Sequence, residues 1–266
     1  MIEFDYHVHS EWSWDAKAGS MEGTCRRALA LGLNAVAFTE HADFEDFVLC
    51  RGGGLDVDGY LEAVERCRAA FSSLRIMSGV ELGSPHRFPV EAAAVLGRHP
   101  FERRLGSVHN VPEGDRLVYV AAPGMLDAER AASTLRRHLL EVLALVESGQ
   151  EFDVIAHLDY PKRFWPRDRL PYDESACEAE YRAVLKAAAA RGLVLEINTS
   201  IGDDPARFCP GLQVVRWWKD VGGQAVSFGS DAHDPARLGS GLASARRLAE
   251  AAGFRPSADP LAYWGR

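Results

Sequence analysis

The sequence predicts an α/β protein whose strands run parallel and are joined by helical crossovers. Short β-branched or apolar runs alternate with Ala/Leu/Arg-rich stretches of helical spacing, and the strand–helix unit recurs about seven times. The strand runs are apolar on both faces rather than alternating, as strands covered on both sides are. A length of 266 residues also suits a single α/β barrel. Periodicity alone does not separate a closed barrel from an open, doubly wound sheet.

Phe4–Val8 reads as the first strand, and Met21–Leu31 as a helix stopped by Gly32. Ala35–Thr39 is the second strand. Ala42–Val57 is a long connection holding Gly52–Gly54, and Tyr60–Phe71 is a helix behind a capping Asp58. Ile76–Leu82 and Leu105–Val108 are the next strands, followed by a second long connection, Asn110–Met125. Ala128–Val146 follows Asp127 as a helix and ends before Gly149. Val154–Ala156, helix Glu174–Ala190, strand Val194–Ile197, helix Leu212–Lys219, strand Ala225–Phe228 and helix Pro235–Ala252 complete the series. Capping side chains or Pro precede several helices and Gly follows most of them, the asymmetry that helix ends favour.

Composition excludes several classes. With 30 Lys and Arg against 38 Asp and Glu the formal charge is −8, so a general phosphate-backbone binder is ruled out. A hydrophobic fraction of 47% argues against disorder, and no apolar run approaches the roughly 18 residues of a membrane span. Five Cys without CxxC spacing point away from a disulfide framework and towards a reducing compartment. MIEFDYHVHS does not read as a signal peptide, so a cytoplasmic location is expected.

The histidines carry the chemistry. Six of nine fall at or just past a strand end: His7, His9, His41, His109, His157 and His233. Asp15, Glu81, Glu196 and Asp231 share those places. In a parallel α/β sheet these ends lie on one rim, where active sites form. Imidazoles crowded there repel on protonation and are costly to desolvate, and metal ions offset both terms. Residues i and i+2 of a strand face the same way, so His7 and His9 can hold one ion, and Asp231-x-His233 repeats the spacing. Imidazole and carboxylate donors without Cys suit Zn, Fe or Mn, and so many donors imply roughly two to three divalent ions. His138, within a helical pattern, is expected on a solvated face and His99 on the surface, while His86 is expected away from the rim.

The ordered set HVHSEWSWDA, TEH, GVELG, GSVHN, AHLDYPKR, EINTS and GSDAH resembles the polymerase and histidinol phosphatase (PHP) superfamily, most closely its histidinol-phosphatase branch. The resemblance runs from His7 to about Gly239 and implies one unit over residues 1–266, folded as a distorted seven-stranded β/α barrel with a trinuclear metal centre. It implies a first ion on His7, His9, Glu81 and Asp231. Glu81 would bridge to a second ion on His109 and His157, and a third would sit on Asp15, His41 and His233. Glu40 replaces the Asp that relatives often carry in TDH. The run after Ser200, IGDDPARFCPG, departs from the Gly-Leu-Arg segment of relatives.

The expected activity is hydrolysis of a small phosphate monoester by a metal-bridging hydroxide, with L-histidinol phosphate the leading substrate. A nucleotide or sugar phosphate is the alternative, and a non-catalytic metal-binding module is a remote third. Asp231 and His233 are the catalytic candidates beside the leaving oxygen, but both are expected ion ligands, so neither is assigned as its general acid. Lys162, Arg163 and Arg207 are the candidate phosphate contacts, with Arg237 behind them. Trp12, Trp14 and Trp165 lie near motif loops and suit either a ring pocket or the core, whereas Trp217 and Trp218 read as core. Arg51–Gly54 only superficially resembles a phosphate-cradling loop.

Overall fold

A computed structural model describes residues 4–45, 54–259 and 261–266. Residues 46–53, which take in all but the last glycine of the Arg51–Gly54 stretch, lie outside the described residues. Seven parallel strands form one sheet in chain order: β1 (Phe4–Val8), β2 (Ala35–Ala42), β3 (Arg75–Gly83), β4 (Arg103–Ser107), β7 (Val154–Ile155), β8 (Val194–Asn198) and β9 (Ala225–Gly229). The sheet curls until its first and last parallel strands meet. Asp231 N donates to His7 O at 2.7 Å and His9 N donates to Ala232 O at 2.9 Å, in a parallel bridge between Val8 and Ala232. Below that seam an eighth strand, β10 (Trp264–Gly265), lies antiparallel on the start of β9. Tyr6 Oη and Arg103 Nη2 both donate to Leu261 O, tying residue 261 to the base of the sheet. The distorted barrel expected from the sequence is therefore present, with an added antiparallel strand.

Local chemistry sets the elements. Helix α1 (Met21–Leu31) starts at Ser20, whose side chain accepts from Gly23 N, and stops at Gly32 with φ 71°. Helix α2 (Val57–Ala70) starts one residue before Asp58, because Asp56 is the cap. A helix absent from the sequence reading, α3 (Pro89–Leu96), begins on Pro89. Helices α4 (Ala131–Glu147), α5 (Glu178–Ala190), α6 (Leu212–Asp220) and α7 (Leu242–Ala252) pack on the later strands. Trp217 and Trp218 are core, and Trp218 Nε1 donates to Ala225 O at 2.9 Å. Burying such a ring contributes on the order of 3 kcal/mol.

The helix expected over Pro235–Ala252 is split. Residues Pro235–Arg237 form a 3-10 turn, and the α-helix begins only at Leu242. Tertiary partners claim the backbone between them: Gly239 N donates to Asp5 Oδ2, and Ser240 O accepts from Thr199 Oγ1. The expected loop Asn110–Met125 holds a hairpin, β5 (Asn110–Glu113) with β6 (Arg116–Tyr119), turned at Gly114 and Asp115. His138 is a correction. It is 1% exposed, not solvated, and its Nε2 lies 3.1 Å from Leu158 O.

Candidate metal centre and its cavity

A register shift in β1 aims the first two histidines. Phe4 and Asp5 pair with Ala35 and Val36, but Val8 pairs with Phe38, so one residue is extra. Phe4 and Tyr6 stack with ring centroids 4.2 Å apart, and Val8 packs in the cluster beneath α1. His7, within the bulged stretch, and His9, just past it, converge with their Nε2 atoms 3.0 Å apart.

Glu81, at the end of β3 and fully buried, is the centre of the assembly. Its Oε2 lies 3.1 Å from His7 Nε2, 3.3 Å from His9 Nε2 and 3.3 Å from His41 Nδ1. Its Oε1 lies 3.2 Å from His109 Nε2 and 2.7 Å from His157 Nε2. Asp231 Oδ1 lies 3.3 Å from His9 Nε2 and 3.4 Å from His233 Nδ1. Asp15 Oδ2 lies 3.5 Å from His41 Nε2 and 3.4 Å from His233 Nε2. All nine expected ligands thus meet at one rim. His157 and Asp231 hold positive φ values of 27° and 52°, conformations that cost free energy in residues other than Gly.

The electrostatics depend on which carboxylate each ring faces. Burial opposes charge on Glu81, but His7, His41 and His157 outweigh it and hold the carboxyl well below its usual range. Burial likewise opposes a proton on His41, yet Asp15, Glu81 and Asp43 push its pKa up to about 10. His7 and His109 are raised for the same reason, against burial, by their carboxylate neighbours. His157 goes the other way: burial brings it down to about 4, only partly offset by Glu81. Divalent ions fit this donor set. The facing Nε2 atoms of His7 and His9 have lone pairs directed at common space, and buried His157 Nδ1, His41 Nδ1 and Asp15 Oδ1 have no hydrogen-bond partner.

Supporting residues surround the rings, among them Glu40, which the sequence already places behind the ligands. Glu196 Oε1 lies 2.6 Å from His7 Nδ1, while its Oε2 accepts from His157 N and Asn198 Nδ2. Carboxylate–imidazole pairs of this kind orient metal ligands. Gly229 makes room for the pair, since a Cβ there would stand 2.3 Å from His7 Cβ and 2.4 Å from Glu196 Oε1. Glu40 accepts from Ser10 and Ser13, and Ser13 Oγ lies 2.9 Å from His9 Nδ1. Asp43, in the long connection, accepts from Trp14 Nε1 at 2.9 Å.

A cavity of about 440 Å³ opens on the centre, lined by Trp14, Asp43, Glu45, Asn110, Tyr119, Tyr160 and Arg163 beside the ligands. Arg163 is held by Asp231 and by Asn198 Oδ1, and its guanidinium lies 4.7 Å from the Tyr160 ring centroid. Lys162 and Arg207 are elsewhere, while Arg237 borders an adjoining pocket shared with Asp15, Arg163, Asp231 and His233. Lys162 is 2% exposed with its Nζ 2.9 Å from Glu174 Oε1, because the 3-10 turn Tyr160–Phe164 points adjacent side chains in different directions. Arg207 sits half-buried on the turn Pro205–Arg207, and Arg237 Nη2 donates to Ser200 O beside the cavity. Trp12 packs over Gly59 and Trp165 against Tyr172, so of the three motif tryptophans only Trp14 lines the cavity. His86 pairs with Glu141 away from the cluster, and half-buried His99 lies 3.3 Å from Ser78 Oγ.

Comparison with known proteins agrees with this architecture. The chain is 32% identical to a histidinol-phosphatase of Lactococcus lactis over 96% of its own length and 93% of the relative's. A crystal structure of histidinol phosphate phosphatase from Lactococcus lactis, complexed with zinc, L-histidinol and phosphate, superposes with a TM-score of 0.83 at 28% identity, covering 95% of this chain and 94% of that one. A structure from Listeria monocytogenes shares the fold with a TM-score of 0.75 at 16% identity, covering 91% of this chain and 99% of that one. The PHP domain model matches residues 5–200, and with that match and the 32% identity over nearly the whole chain, the chain belongs to the PHP family.

Proposed function

We propose that the chain is a metal-dependent phosphomonoesterase that hydrolyses L-histidinol phosphate to L-histidinol and phosphate, a step of histidine biosynthesis. The observation that carries this reading is Glu81, a buried carboxylate facing five imidazoles, His7, His9, His41, His109 and His157, beside a cavity that holds Arg163. The Lactococcus structure with zinc, L-histidinol and phosphate supplies the substrate and makes zinc the first choice of metal, ahead of Fe or Mn.

Roughly two to three divalent ions account for the ligand number. His7, His9, Glu81 and Asp231 would hold one, and Glu81, His109 and His157 a second. Asp15, His41 and His233 would hold a third. When bound, such ions polarise phosphoryl oxygens and lower the pKa of water. The chain's own groups position the ester. Arg163, locked by Asn198 and Asp231, presents guanidinium N–H groups to phosphate oxygens. Asp231 and His233 border the cavity 3.4 Å apart; as ion ligands they would be unprotonated, so their catalytic part would be to hold the ions, and the leaving oxygen would take its proton from water. Ligands drawn from His7 to His233 support reading the chain as a single functional unit.

A phosphatase panel on zinc-reconstituted protein tests this. Histidinol phosphate is expected to exceed nucleotide and sugar phosphates in kcat/KM by at least about tenfold. A preference for any other ester overturns the substrate, and no hydrolysis of any ester overturns the enzyme.

A further inference from the structure

A second pocket, of about 570 Å³, adjoins the cavity. It shares Asp15, Arg163, Asp231 and His233 with the cavity but continues to Lys17, Ser200 and Arg237, which the cavity does not reach. Three chain segments bring these last residues together: Lys17 follows β1, Ser200 follows β8 and Arg237 follows β9. The cations are unmatched. Lys17 and Arg237 are exposed, and among the described residues neither pairs with a carboxylate. Arg237 Nη2 donates to Ser200 O at 2.8 Å, which anchors the guanidinium and leaves its other N–H groups free. On the same wall Ser200 Oγ and Arg163 Nε are shielded from water and have no hydrogen-bond partner. Of the pocket's acids, Asp15 and Asp231 belong to the expected ligand set, where bound ions would offset their charge, and Asp234 accepts from Ala236 N at 2.8 Å. Buried donors without acceptors, beside cations without counter-charges, suit an oxyanion.

We propose that this pocket is a second anion site, which binds inorganic phosphate outside the metal centre. The inference rests on the phosphomonoesterase reading. Phosphate is the product that every ester would yield, and it is freed beside Asp231 and His233, at the border the two pockets share. Arg163 lines both pockets, so an anion leaving the cavity stays against a guanidinium until Lys17 and Arg237 take it. Lys17 offers a compact charge and Arg237 forked donors. Phosphate held there does not have to displace the ester, so product inhibition is mixed and not purely competitive.

Calorimetric titration of zinc-loaded, desalted protein with inorganic phosphate tests this without turnover. Wild type is expected to bind two equivalents, one at the centre and a weaker one at Lys17 and Arg237. Lys17→Gln, a change at an exposed side chain, is expected to weaken the second by about 3- to 10-fold and to leave the first within about twofold. Arg237→Gln is expected to weaken the second equivalent likewise. In kinetics, phosphate inhibition is expected to be mixed in wild type and to move towards purely competitive in Lys17→Gln, with kcat/KM for the ester retained. A single equivalent in wild type overturns the site. So does a second equivalent that Lys17→Gln leaves unchanged, or a loss of both equivalents together. A protein that binds two phosphates but hydrolyses no ester overturns the parent reading and not the site.

Discussion

The Nε2 atoms of His7 and His9 face each other at 3.0 Å, a separation at which at least one ring must carry a proton or both must share a cation. Metal ions resolve the conflict. His9→Ala is therefore expected to lower bound metal by about one equivalent and kcat/KM by more than about 1,000-fold, with the far-UV circular dichroism unchanged. Metal analysis by mass spectrometry and steady-state kinetics measure both, and wild-type turnover in the variant would refute a ligand role.

Metal affinity is expected to rise with pH. In the metal-free protein the His41 pKa is raised, against burial, by Asp15, Glu81 and Asp43, from 6.5 to about 10. A raised histidine stabilises the fold fully below its unfolded pKa of about 6.5 and loses that contribution as pH climbs through about 10. An ion binding to neutral imidazole displaces the proton. Each displaced proton strengthens apparent affinity by about tenfold per pH unit across that window. Chelator competition between about pH 6.5 and 8.5 measures the slope, and a flat profile contradicts it.

Arg163 and Lys162 are adjacent in sequence and are expected to fail differently. Arg163→Ala removes the guanidinium at the cavity and should lower kcat/KM by about 100-fold. Lys162→Met strips the cation from Glu174 and from Asp159, 3.9 Å away, and should cost about 3 kcal/mol of stability while changing kcat/KM by less than about threefold. Thermal melts and kinetics on both variants separate the effects, and a large kinetic loss in Lys162→Met would show that this ammonium reaches the substrate.

The contrast shows what a sequence can disclose. Strand-end histidines are legible because parallel topology sends every strand end to one rim, so position along the chain stands in for position in space. Side-chain direction within a 3-10 turn is not encoded that way, which is why Lys162 and Arg163 look equivalent in HLDYPKR. His138 sits in an amphipathic pattern that fits a polar face, but α4 turns it towards Leu158 O, and burial brings its pKa down to about 3. The Gly-Asp turn of the hairpin is present in NVPEGDRLVYV as a usable signal, and with it Asn110 could have been placed opposite Tyr119. The break before Leu242 could not, because its cause is Asp5, on the first strand.

The seam between the first and last parallel strands has a temporal meaning. Tyr6 bonds to a carbonyl 255 positions later, and His7 receives a hydrogen bond from the backbone of Asp231. During synthesis the first histidines leave the ribosome long before their partners exist. The expected ligand set is complete only after the strand preceding Asp231 has emerged, so the full metal complement waits on the last parallel strand of the sheet.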